Sequence, residues 1–428
     1  MTQAALTQPI DPASRDQAPT ASGNSRLRGK RAAMVTYSLY PGDPRPRRAV
    51  DALVGEGMHV DLICLGSENA PRRERLNSID VYRIALKHRR GGKLAYAYQY
   101  AVFILISSAI IAFRSLTRRY DLVYVHNMPD ILVLSALVPK ALGAKVILDM
   151  HDPMPELMTT IFNLDEDSFS VRLISRIEKW SMARANLIVA VNLACKRIFA
   201  SRSCPPEKIG VVMNSPDGAI FPFRTPQSVS SINQSPDKPF VILYHGSLVE
   251  RNGLDLAVEA LARVRKSIPT AELRVFGPNT PFLERVMELA RARSLDGAIR
   301  YRGHKRLEEL VEEIEHCDVG VIPNRRNAFT EINTPTRIFE YLALGKPVIA
   351  PSTQGIQDYF GKESLLFFEP GNADELARQI EYVYLHPGEV RDIVERGQEV
   401  YLSHRWELER ESLLGFVSEL MRGQGGPD

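Results

Sequence analysis

The hydrophobic positions of this chain fall into two series of short apolar runs, and amphipathic segments separate the runs within each series. Short β-rich runs that alternate with helical patterns predict βαβ units and a parallel sheet. We therefore predict an α/β protein with two Rossmann-like, doubly wound domains in tandem. The first series lies at 32–38, 60–65, 122–126, 145–149, 187–191 and 209–213, and the second at 240–245, 273–277, 298–302, 318–323, 347–350 and 365–368.

The same pattern suggests the domain boundaries. A length of 428 residues exceeds the usual size of one domain. We predict a disordered tail at 1–29, a first domain at 30–215, a linker at 216–239, a second domain at 240–403 and a final helix with a tail at 404–428. The polar first segment has no apolar core of the kind that signal peptides carry. Ligands are expected at the carboxyl ends of the strands, in a cleft that the two domains face.

Composition excludes several classes of function. The net charge of +3 is too small to indicate nucleic-acid binding. Cys64, Cys195, Cys204 and Cys317 are scattered without the spacing of a metal site or a disulfide framework, which fits a reducing cytoplasm. An acidic cluster at 165–167 follows no clear strand and is typical of a helix start. We therefore expect no metal and no cofactor.

One segment, TPTRIFEYLALGKPVIAP at 334–351, predicts a helix, a stop and a buried strand in close succession. Thr334 suits the N-cap, Pro335 the first turn, and Gly345 the end of the helix. Glu340 lies within that helix, where its carboxylate could accept hydrogen bonds from two neighbouring sugar hydroxyls. The N-terminus of a helix favours phosphate. The segment therefore predicts a site for a sugar nucleotide.

This segment resembles the donor-site motif of the retaining GT-B glycosyltransferases of family 4. Three further stretches extend the resemblance over about residues 30–420. The turn YHGSLVERNGLD at 244–255 is similar to the glycine-rich turn of the family, and residues 211–221 resemble its hinge. The stretch DMHD at 149–152 resembles its central histidine site.

The resemblance implies a metal-independent transferase that moves a sugar, with retention, from a nucleotide-diphosphate sugar to a saccharide or lipid-linked saccharide acceptor. Envelope polysaccharide or glycolipid synthesis is the implied setting. It also implies a C-terminal helix that crosses back to the first domain. His151 and Glu340 are the expected catalytic residues. The expected donor-binding residues are Gly246, Ser247, Arg251, Gly277, Thr336, Arg337 and Glu340.

Four residues are candidates for the acceptor side of the site. His151 follows a buried run and thus emerges at the carboxyl end of a strand, where Asp152 could steady it. His126 ends the preceding strand and is either a second polar wall of the cleft or a satisfied core histidine. Arg45 lies in a predicted loop at 40–48, where it either contacts a phosphate or is solvated.

Departures from the family pattern leave other functions open. The family carries a second glutamate where this chain has Ile332, and either Glu331 or backbone amides near 333–336 could replace it. Ser247 and Asn252 stand where the family has an arginine and a lysine, and Arg251 or Arg337 could supply the cation. A nucleotide-sugar 2-epimerase of the same fold and a non-catalytic nucleotide-sugar-binding scaffold are therefore alternatives.

The apolar segment at 94–113 is flanked by basic residues on both sides. Such flanks fit a helix that lies on an anionic cytoplasmic membrane face. A buried helix and a true span are the alternatives. We expect a cytoplasmic protein with peripheral contact to the inner face of the membrane through this segment.

Overall fold

The computed structural model describes residues 27–67, 70–86, 93–165, 167–226 and 238–422. For residues 93–96 it describes the backbone and not the side chains. Within these ranges the chain forms two compact units. The first comprises the residues up to Val212 and those from Arg410 onward, and the second is Met213–Glu409. Most of the predicted tail at 1–29, residues 227–237 of the predicted linker and Glu166 of the acidic cluster lie outside the described residues.

The first unit is built on an eight-stranded sheet with the order β3-β4-β2-β1-β5-β6-β7-β8. Neighbouring strands are parallel except for the antiparallel pair of β3 and β4. The strands are β1 (Arg31–Leu39), β2 (His59–Leu65), β3 (Arg73–Leu76), β4 (Ile79–Ile84), β5 (Leu122–His126), β6 (Lys145–Met150), β7 (Leu187–Ala190) and β8 (Ile209–Val211).

Helices connect these strands. They are α1 (Pro44–Gly55), α2 (Lys93–Thr117), α3 (Leu137–Ala141), α4 (Met154–Phe162), α5 (Phe169–Arg184) and α6 (Leu193–Arg202). A 3₁₀ helix at Asp130–Ala136 precedes α3 and packs against both α2 and α5.

The second unit contains a six-stranded parallel sheet with the order β11-β10-β9-β12-β13-β14. Its strands are β9 (Phe240–His245), β10 (Ala271–Phe276), β11 (Ile299–Tyr301), β12 (Val319–Val321), β13 (Val348–Pro351) and β14 (Leu366–Phe368). Its helices are α7 (Leu254–Val264), α8 (Pro281–Ala292), α9 (Leu307–Glu315), α10 (Ala328–Ile332), α11 (Thr336–Ala343), α12 (Gln354–Gln357), α13 (Ala373–Leu385) and α14 (Pro387–Ser403). The last helix of the chain is α15 (Trp406–Arg422).

The predicted fold of two parallel-sheet α/β domains is confirmed, and each predicted apolar run contains a strand. The hairpin of β3 and β4 was not predicted. Strand β3 has three charged residues and one leucine, and β4 alternates apolar and polar residues only over its first three positions. The two strands pair through the turn at Asn77 and Ser78, where Asn77 takes a left-handed conformation. Such strands give no continuous apolar run, whereas a doubly covered strand does.

Helix α11 begins one residue later than predicted. Thr334 does not cap the helix, because its hydroxyl donates to the carbonyl oxygen of Gly355 over 2.6 Å. Pro335 takes the N-cap position instead, and the helix begins at Thr336. At the other end Gly345 has a φ of 67°, the left-handed conformation that a helix stop uses.

The last helix returns to the first unit, as predicted. From Arg410 onward α15 belongs to that unit, and a Cβ added to Gly210 in β8 would lie 2.6 Å from the ring of Phe416. Glu409 belongs to the second unit, where its carboxylate accepts from the backbone N–H of Met213 over 2.6 Å. The first and last residues of the second unit are therefore directly bonded.

Helix α2 packs on its own unit with one face only. Its inner face carries Phe103 and Gln99, whose amide oxygen accepts from the hydroxyl of Tyr37. Its outer face is apolar, and Leu105 and Phe113 are 70% and 71% exposed. By length and composition, Ala97–Thr117 could cross a membrane, and 28% of its most apolar window is buried.

Candidate active site in the two units

The first group of candidate residues lies where β5 and β6 end. The two strands are parallel neighbours, and His126 at the end of β5 is paired with Asp149 in β6. His151 follows β6 directly. Because the carboxyl ends of parallel strands share one edge of the sheet, the predicted residues His126 and His151 are brought together. Their ring centroids are 5.9 Å apart.

Asp149 is the charge around which this group is arranged. Its side chain is 1% exposed, and it accepts from the Arg45 guanidinium, whose Nη2 lies 2.8 Å from Oδ1. The hydroxyl of Tyr124 donates to its other oxygen over 2.9 Å. Burial alone would raise the pKa of this carboxyl, but the charge of Arg45 outweighs it and holds the pKa far below the usual range. Asp149 is therefore an anion.

Arg45 does not lie in a solvated loop, as the sequence had suggested. It belongs to α1, which begins at Pro44 with Asp43 as its N-cap. The guanidinium is buried, and it also donates to the carbonyl oxygen of Val212 over 3.3 Å. The guanidinium is thus bound to Asp149, and contact between Arg45 and a ligand phosphate stays a prediction.

His126 is fully buried, and neither ring nitrogen has a hydrogen-bond partner. The structure thus gives no support to a satisfied core histidine, and a role as a polar wall of the cleft stays a prediction. Nδ1 of His126 lies 3.5 Å from Oδ2 of Asp149. Burial lowers the pKa of His126 to about 3, although Asp149 acts in the opposite direction. The imidazole is therefore neutral at physiological pH.

His151 is steadied mainly by Asp149 and by an unpredicted residue, Asn127. Nδ1 of His151 lies 3.8 Å from Oδ1 of Asp149. Burial acts to lower the pKa of His151, but the carboxylates of Asp149 and Asp152 outweigh it and raise the pKa. Asp152 contributes through its charge, and its backbone carbonyl accepts from the side-chain amide of Asn127 over 2.6 Å.

Asn127 fixes the loop that carries His151. Its side-chain oxygen accepts from the backbone N–H groups of His151 and Asp152 over 3.2 and 3.3 Å. Its amide nitrogen also donates to Oδ1 of Asp130 over 3.1 Å. Asn127 follows a strand-end histidine, so the position that drew attention to His126 could also have revealed this residue.

Among the described residues, only His126, Asp149 and His151 form a group that could hold a metal ion, with ligand atoms within 4.8 Å of one another. The chemistry of the group does not fit a cation well. Arg45 and Tyr124 already donate to both oxygens of Asp149, and the guanidinium would repel a metal ion beside it. The positive charge that this carboxylate needs is thus supplied by the protein.

The second group of candidates lies at the carboxyl ends of β9 and β10. Gly246 follows β9 with a φ of 125°, in the region that favours glycine. A Cβ added to Gly277, which follows β10, would lie 2.2 Å from the carbonyl oxygen of Gly246. Only glycine at 277 allows the two turns to approach this closely. Gly277 is buried in this packing, and Gly246 is half-buried.

Arg337 on α11 lies against this pair of turns. Its Nη1 donates to the carbonyl oxygen of His245 over 2.6 Å, and its Nη2 donates to Oδ1 of Asn324 over 3.3 Å. The guanidinium also lies 5.1 Å from the centre of the Tyr244 ring. A guanidinium has five donors, more than these two acceptors use. Arg337 can therefore also bind an anion at the Gly246 turn.

Glu340 lies one helical turn beyond Arg337 and is 9% exposed. Its Oε2 is 3.4 Å from Nε2 of His245, the last residue of β9. Burial, helped by the charge of Arg337, holds the pKa of His245 well below its usual range. His245 is thus a neutral neighbour of the Glu340 carboxylate. His245 was not predicted as a site residue, although it ends a buried strand as His126 does.

The remaining predicted residues lie around the same edge. The carbonyl oxygen of Ser247 accepts from the Tyr244 hydroxyl and from the side chain of Asn252, both over 2.8 Å, so Asn252 holds the turn together. The Arg251 guanidinium lies 5.8 Å from the centre of the Phe329 ring. Thr336 is the first residue of α11 and half-buried.

Glu331 already has partners within its own unit. Its Oε2 lies 3.1 Å from Nε of Arg326, and its Oε1 accepts from the backbone N–H of Gln354 over 3.1 Å. These contacts tie Glu331 to the start of α12. Arg337 and Glu340, in contrast, both lie against the end of β9. Of the two glutamates, Glu340 is the one placed beside the glycine turns.

Each half of the chain matches a known protein family. Residues 43–215 match the glycosyl transferase 4-like domain, and residues 227–400 match the glycosyl transferases group 1 model. A putative colanic acid biosynthesis glycosyltransferase, WcaL of Salmonella typhimurium, is 24% identical over 50% of this chain and 52% of its own length. The probable glycosyltransferase WbjE of Pseudomonas aeruginosa is 22% identical over 57% and 60%. The chain thus spans about half the length of these relatives.

Solved structures share the fold over nearly the whole chain. Sucrose-phosphate synthase from Thermosynechococcus elongatus superposes with a TM-score of 0.73 at 18% identity, covering 92% of this chain and 100% of that one. The Anabaena protein HepE in complex with UDP-glucose gives a TM-score of 0.67 at 14% identity, covering 91% and 99%. These matches support the predicted GT-B fold.

The pH dependence of unfolding tests the environment of Asp130, which binds the Asn127 side chain that also holds the backbone of His151. Asp130 is 2% exposed, and burial, reinforced by the charge of Glu178, raises its pKa from 3.8 to about 7. As pH rises above 4, the unfolded chain releases this proton before the folded one does, so the folded state loses stability until the pH passes 7. Asp130→Asn removes this titration and keeps an acceptor for Asn127.

We expect the free energy of unfolding of Asp130→Asn to rise by about 2–3 kcal/mol relative to that of the wild type when the pH is raised from 5 to 8. Urea unfolding of both proteins at the two pH values measures this. Asp165→Asn, at an exposed position of the same unit, is the matched control and should show no such difference. Equal pH dependence in Asp130→Asn and the wild type would show that Asp130 titrates normally.

Proposed function

The two domains of this chain belong to the glycosyl transferase 4-like and glycosyl transferases group 1 families, and from that premise we propose that it transfers a sugar, with retention, from a nucleoside diphosphate sugar to a saccharide or lipid-linked acceptor. The second unit would bind the donor, and the first would supply the acceptor-side residues. Relatives named for colanic acid biosynthesis support envelope or extracellular polysaccharide synthesis as the setting.

The observation that carries the proposal is the convergence of Gly246, Gly277, Arg337 and Glu340 at one sheet edge. The paired glycines carry no side chain that would keep a diphosphate away from the Gly246 turn, which is half-buried. Arg337 offers a half-buried guanidinium anchored by its own unit. The Glu340 carboxylate can accept from two neighbouring hydroxyls of a ribose or hexose. The diphosphate and one of the two sugars of a nucleotide sugar thus each have a complementary group.

Transfer requires stabilisation of the negative charge that develops on the leaving diphosphate. Arg337 would supply it without a metal. The backbone N–H groups of Gly246 and Gly277 already donate to the carbonyl oxygens of Phe276 and Gly303, so they are not counted among these donors. Arg251, on the same turn, is a second candidate cation. Fixed donors of this kind need little rearrangement as the charge develops, which is why such arrangements accelerate reactions.

His151 is the proposed acceptor-side residue. Asn127 fixes its backbone, and Asp149 lies near its Nδ1. The raised pKa of His151 favours a ring that carries a proton and can donate to a sugar hydroxyl. The neutral His126 and the Asp149–Arg45 pair would then act by holding His151 and its charge state rather than by touching substrate.

The donor is proposed to be a uridine diphosphate sugar in the first instance, because HepE, which shares the fold, is described in complex with UDP and with UDP-glucose. The sugar and the acceptor saccharide are left to experiment. A panel of UDP-, GDP-, dTDP- and ADP-sugars in calorimetry would identify the base.

We also propose a cytoplasmic location with peripheral contact to the membrane through 94–113. The outer face of α2 carries exposed Leu105, Phe113 and Leu116, and Arg118 and Arg119 follow the helix. The inner face is bonded to the unit, as the contact between Arg114 and Asp61 illustrates. A helix held along one side by its own domain suits a membrane surface better than a span.

The first prediction concerns Glu340. Hydrogen bonds to a charged group contribute roughly 1.5–3 kcal/mol each, so Glu340→Ala should slow turnover at low donor concentration by about 10- to 1000-fold. Steady-state kinetics with the best donor of the panel measures it. Glu331→Ala is the matched control and should have a small effect, because its carboxylate is engaged by Arg326 and Gln354.

Undiminished activity in folded Glu340→Ala would refute the donor-site assignment. A larger loss of activity in Glu331→Ala than in Glu340→Ala would show that Glu331 replaces the second glutamate of the family. The products separate the alternatives. Release of nucleotide without any acceptor favours a 2-epimerase. Nucleotide binding with no turnover across many acceptors favours a scaffold.

The second prediction concerns His151. Its replacement by alanine should lower turnover at least tenfold, in line with the loss of one hydrogen bond from a charged donor, and leave the affinity for the nucleoside diphosphate nearly unchanged. Isothermal titration with the nucleoside diphosphate, together with kinetics, tests both parts. A large loss of diphosphate affinity in a folded variant would contradict the acceptor-side role.

The third prediction concerns the membrane. Each basic residue near an anionic surface contributes about 1 kcal/mol, so binding to anionic liposomes should weaken as salt rises. The double variant Leu105→Glu and Phe113→Glu should reduce sedimentation with the liposomes more than tenfold, because two apolar contacts are lost. Leu385→Glu, at a 66% exposed site of the other unit, is the control. Salt-resistant attachment would indicate a span, and absence of binding would remove the proposal.

A further inference from the structure

An apolar groove lies on the first unit between the 3₁₀ helix Asp130–Ala136 and α5. It has a volume of about 300 Å³, near the lower end of the range for ligand pockets. Ile131 and Leu134 line it from the 3₁₀ helix, and Arg176, Ile177 and Trp180 line it from α5. Arg176 is the one charged residue in the lining. Such a groove can take a hydrocarbon chain but offers little to a free sugar.

One wall of the groove is connected to the loop of His151. Ile131 follows Asp130, which accepts from the side chain of Asn127. Asn127 in turn binds the backbone of His151 and Asp152. All of these residues belong to the first unit. The groove wall and the proposed acceptor-side histidine are therefore linked by one chain of hydrogen bonds.

The charge on α5 indicates the kind of apolar molecule. The exposed charged side chains of this helix are all basic, namely Arg172, Arg176, Lys179 and Arg184, while its one acidic residue, Glu178, is buried. Glu178 is bonded to Arg202 and Ser203 inside the unit. The exposed charge that α5 itself brings to the groove is therefore positive, which favours an amphiphile with a phosphate over a neutral lipid.

We propose that this groove binds the hydrocarbon chain of a lipid-linked acceptor, with Arg176 contacting the phosphate that joins the chain to the saccharide. The inference rests on the proposed function and narrows its acceptor to the lipid-linked class. Binding would hold the saccharide end near His151 while the chain stays anchored. The groove then acts as an acceptor-positioning site within the first unit.

Tryptophan fluorescence tests the proposal directly, because the chain has only two tryptophans, Trp180 in the groove and Trp406 in α15. In a Trp406→Phe background, Trp180 is the sole reporter. Titration with dodecyl phosphate below its micelle concentration should give a saturable blue shift. Inorganic phosphate alone should give none. Nucleotide sugar is absent, so the result is independent of donor binding and turnover.

Matched variants locate the effect. Ile177→Gln should raise the half-saturating concentration of dodecyl phosphate about 10- to 100-fold, because one buried apolar side chain is lost. Leu134→Gln provides a second test from the other wall of the groove. Leu173→Gln, on the same helix but outside the lining, should leave the titration unchanged. Arg176→Gln should weaken dodecyl phosphate several-fold and leave neutral dodecyl maltoside unaffected.

A blue shift that is not saturable, or that survives both groove variants, would overturn the proposal. So would a shift that appears with anionic vesicles and not with dodecyl phosphate, because the groove would then contact a bilayer surface. A change in sedimentation mass on Ile177→Gln would show that a second copy of the chain fills the groove instead. Loss of activity in Glu340→Ala has no bearing on these outcomes.

Discussion

A carboxylate without access to water needs neighbours that neutralise it, and in the first unit Asp149 meets this need through Arg45 and Tyr124. The ion pair joins α1 to β6, and Arg45 also bonds to the carbonyl oxygen of Val212 after β8. One side chain thus connects three separate parts of the sheet edge. The geometry of His151 follows from that connection, because the loop that carries it starts from the strand that holds Asp149.

The second unit reaches the same kind of edge by a different means. It relies on close backbone packing at Gly246 and Gly277, where side chains would collide. Helix α11 then closes the edge, since Tyr341 donates to the carbonyl oxygen of Leu243 and Arg337 to that of His245. The two proposed donor side chains are carried by a helix that is bonded directly to β9. Their positions are therefore as well defined as the sheet itself.

The doubly covered strands could be predicted, because such strands are nearly continuous runs of hydrophobic residues. The partners of single polar side chains could not be predicted, because only the fold brings distant donors and acceptors together. The local pattern around Arg45 resembles a loop, and only the fold reveals that Asp149, 104 positions away, binds it. Thr334 has the right residue type for a cap, yet Gly355 offers its hydroxyl a better-placed acceptor. His245 was overlooked because Glu340, its neighbour, lies far along the chain.

The return of the last helix also has a consequence for the order of synthesis. The second unit is a continuous stretch whose ends, Met213 and Glu409, are bonded to each other, so it can fold as soon as it emerges. The first unit begins earlier but is completed after the second, because Phe416 in α15 covers Gly210 on the edge strand β8 only once that helix has been made. Translation that stops before α15 therefore leaves β8 uncovered.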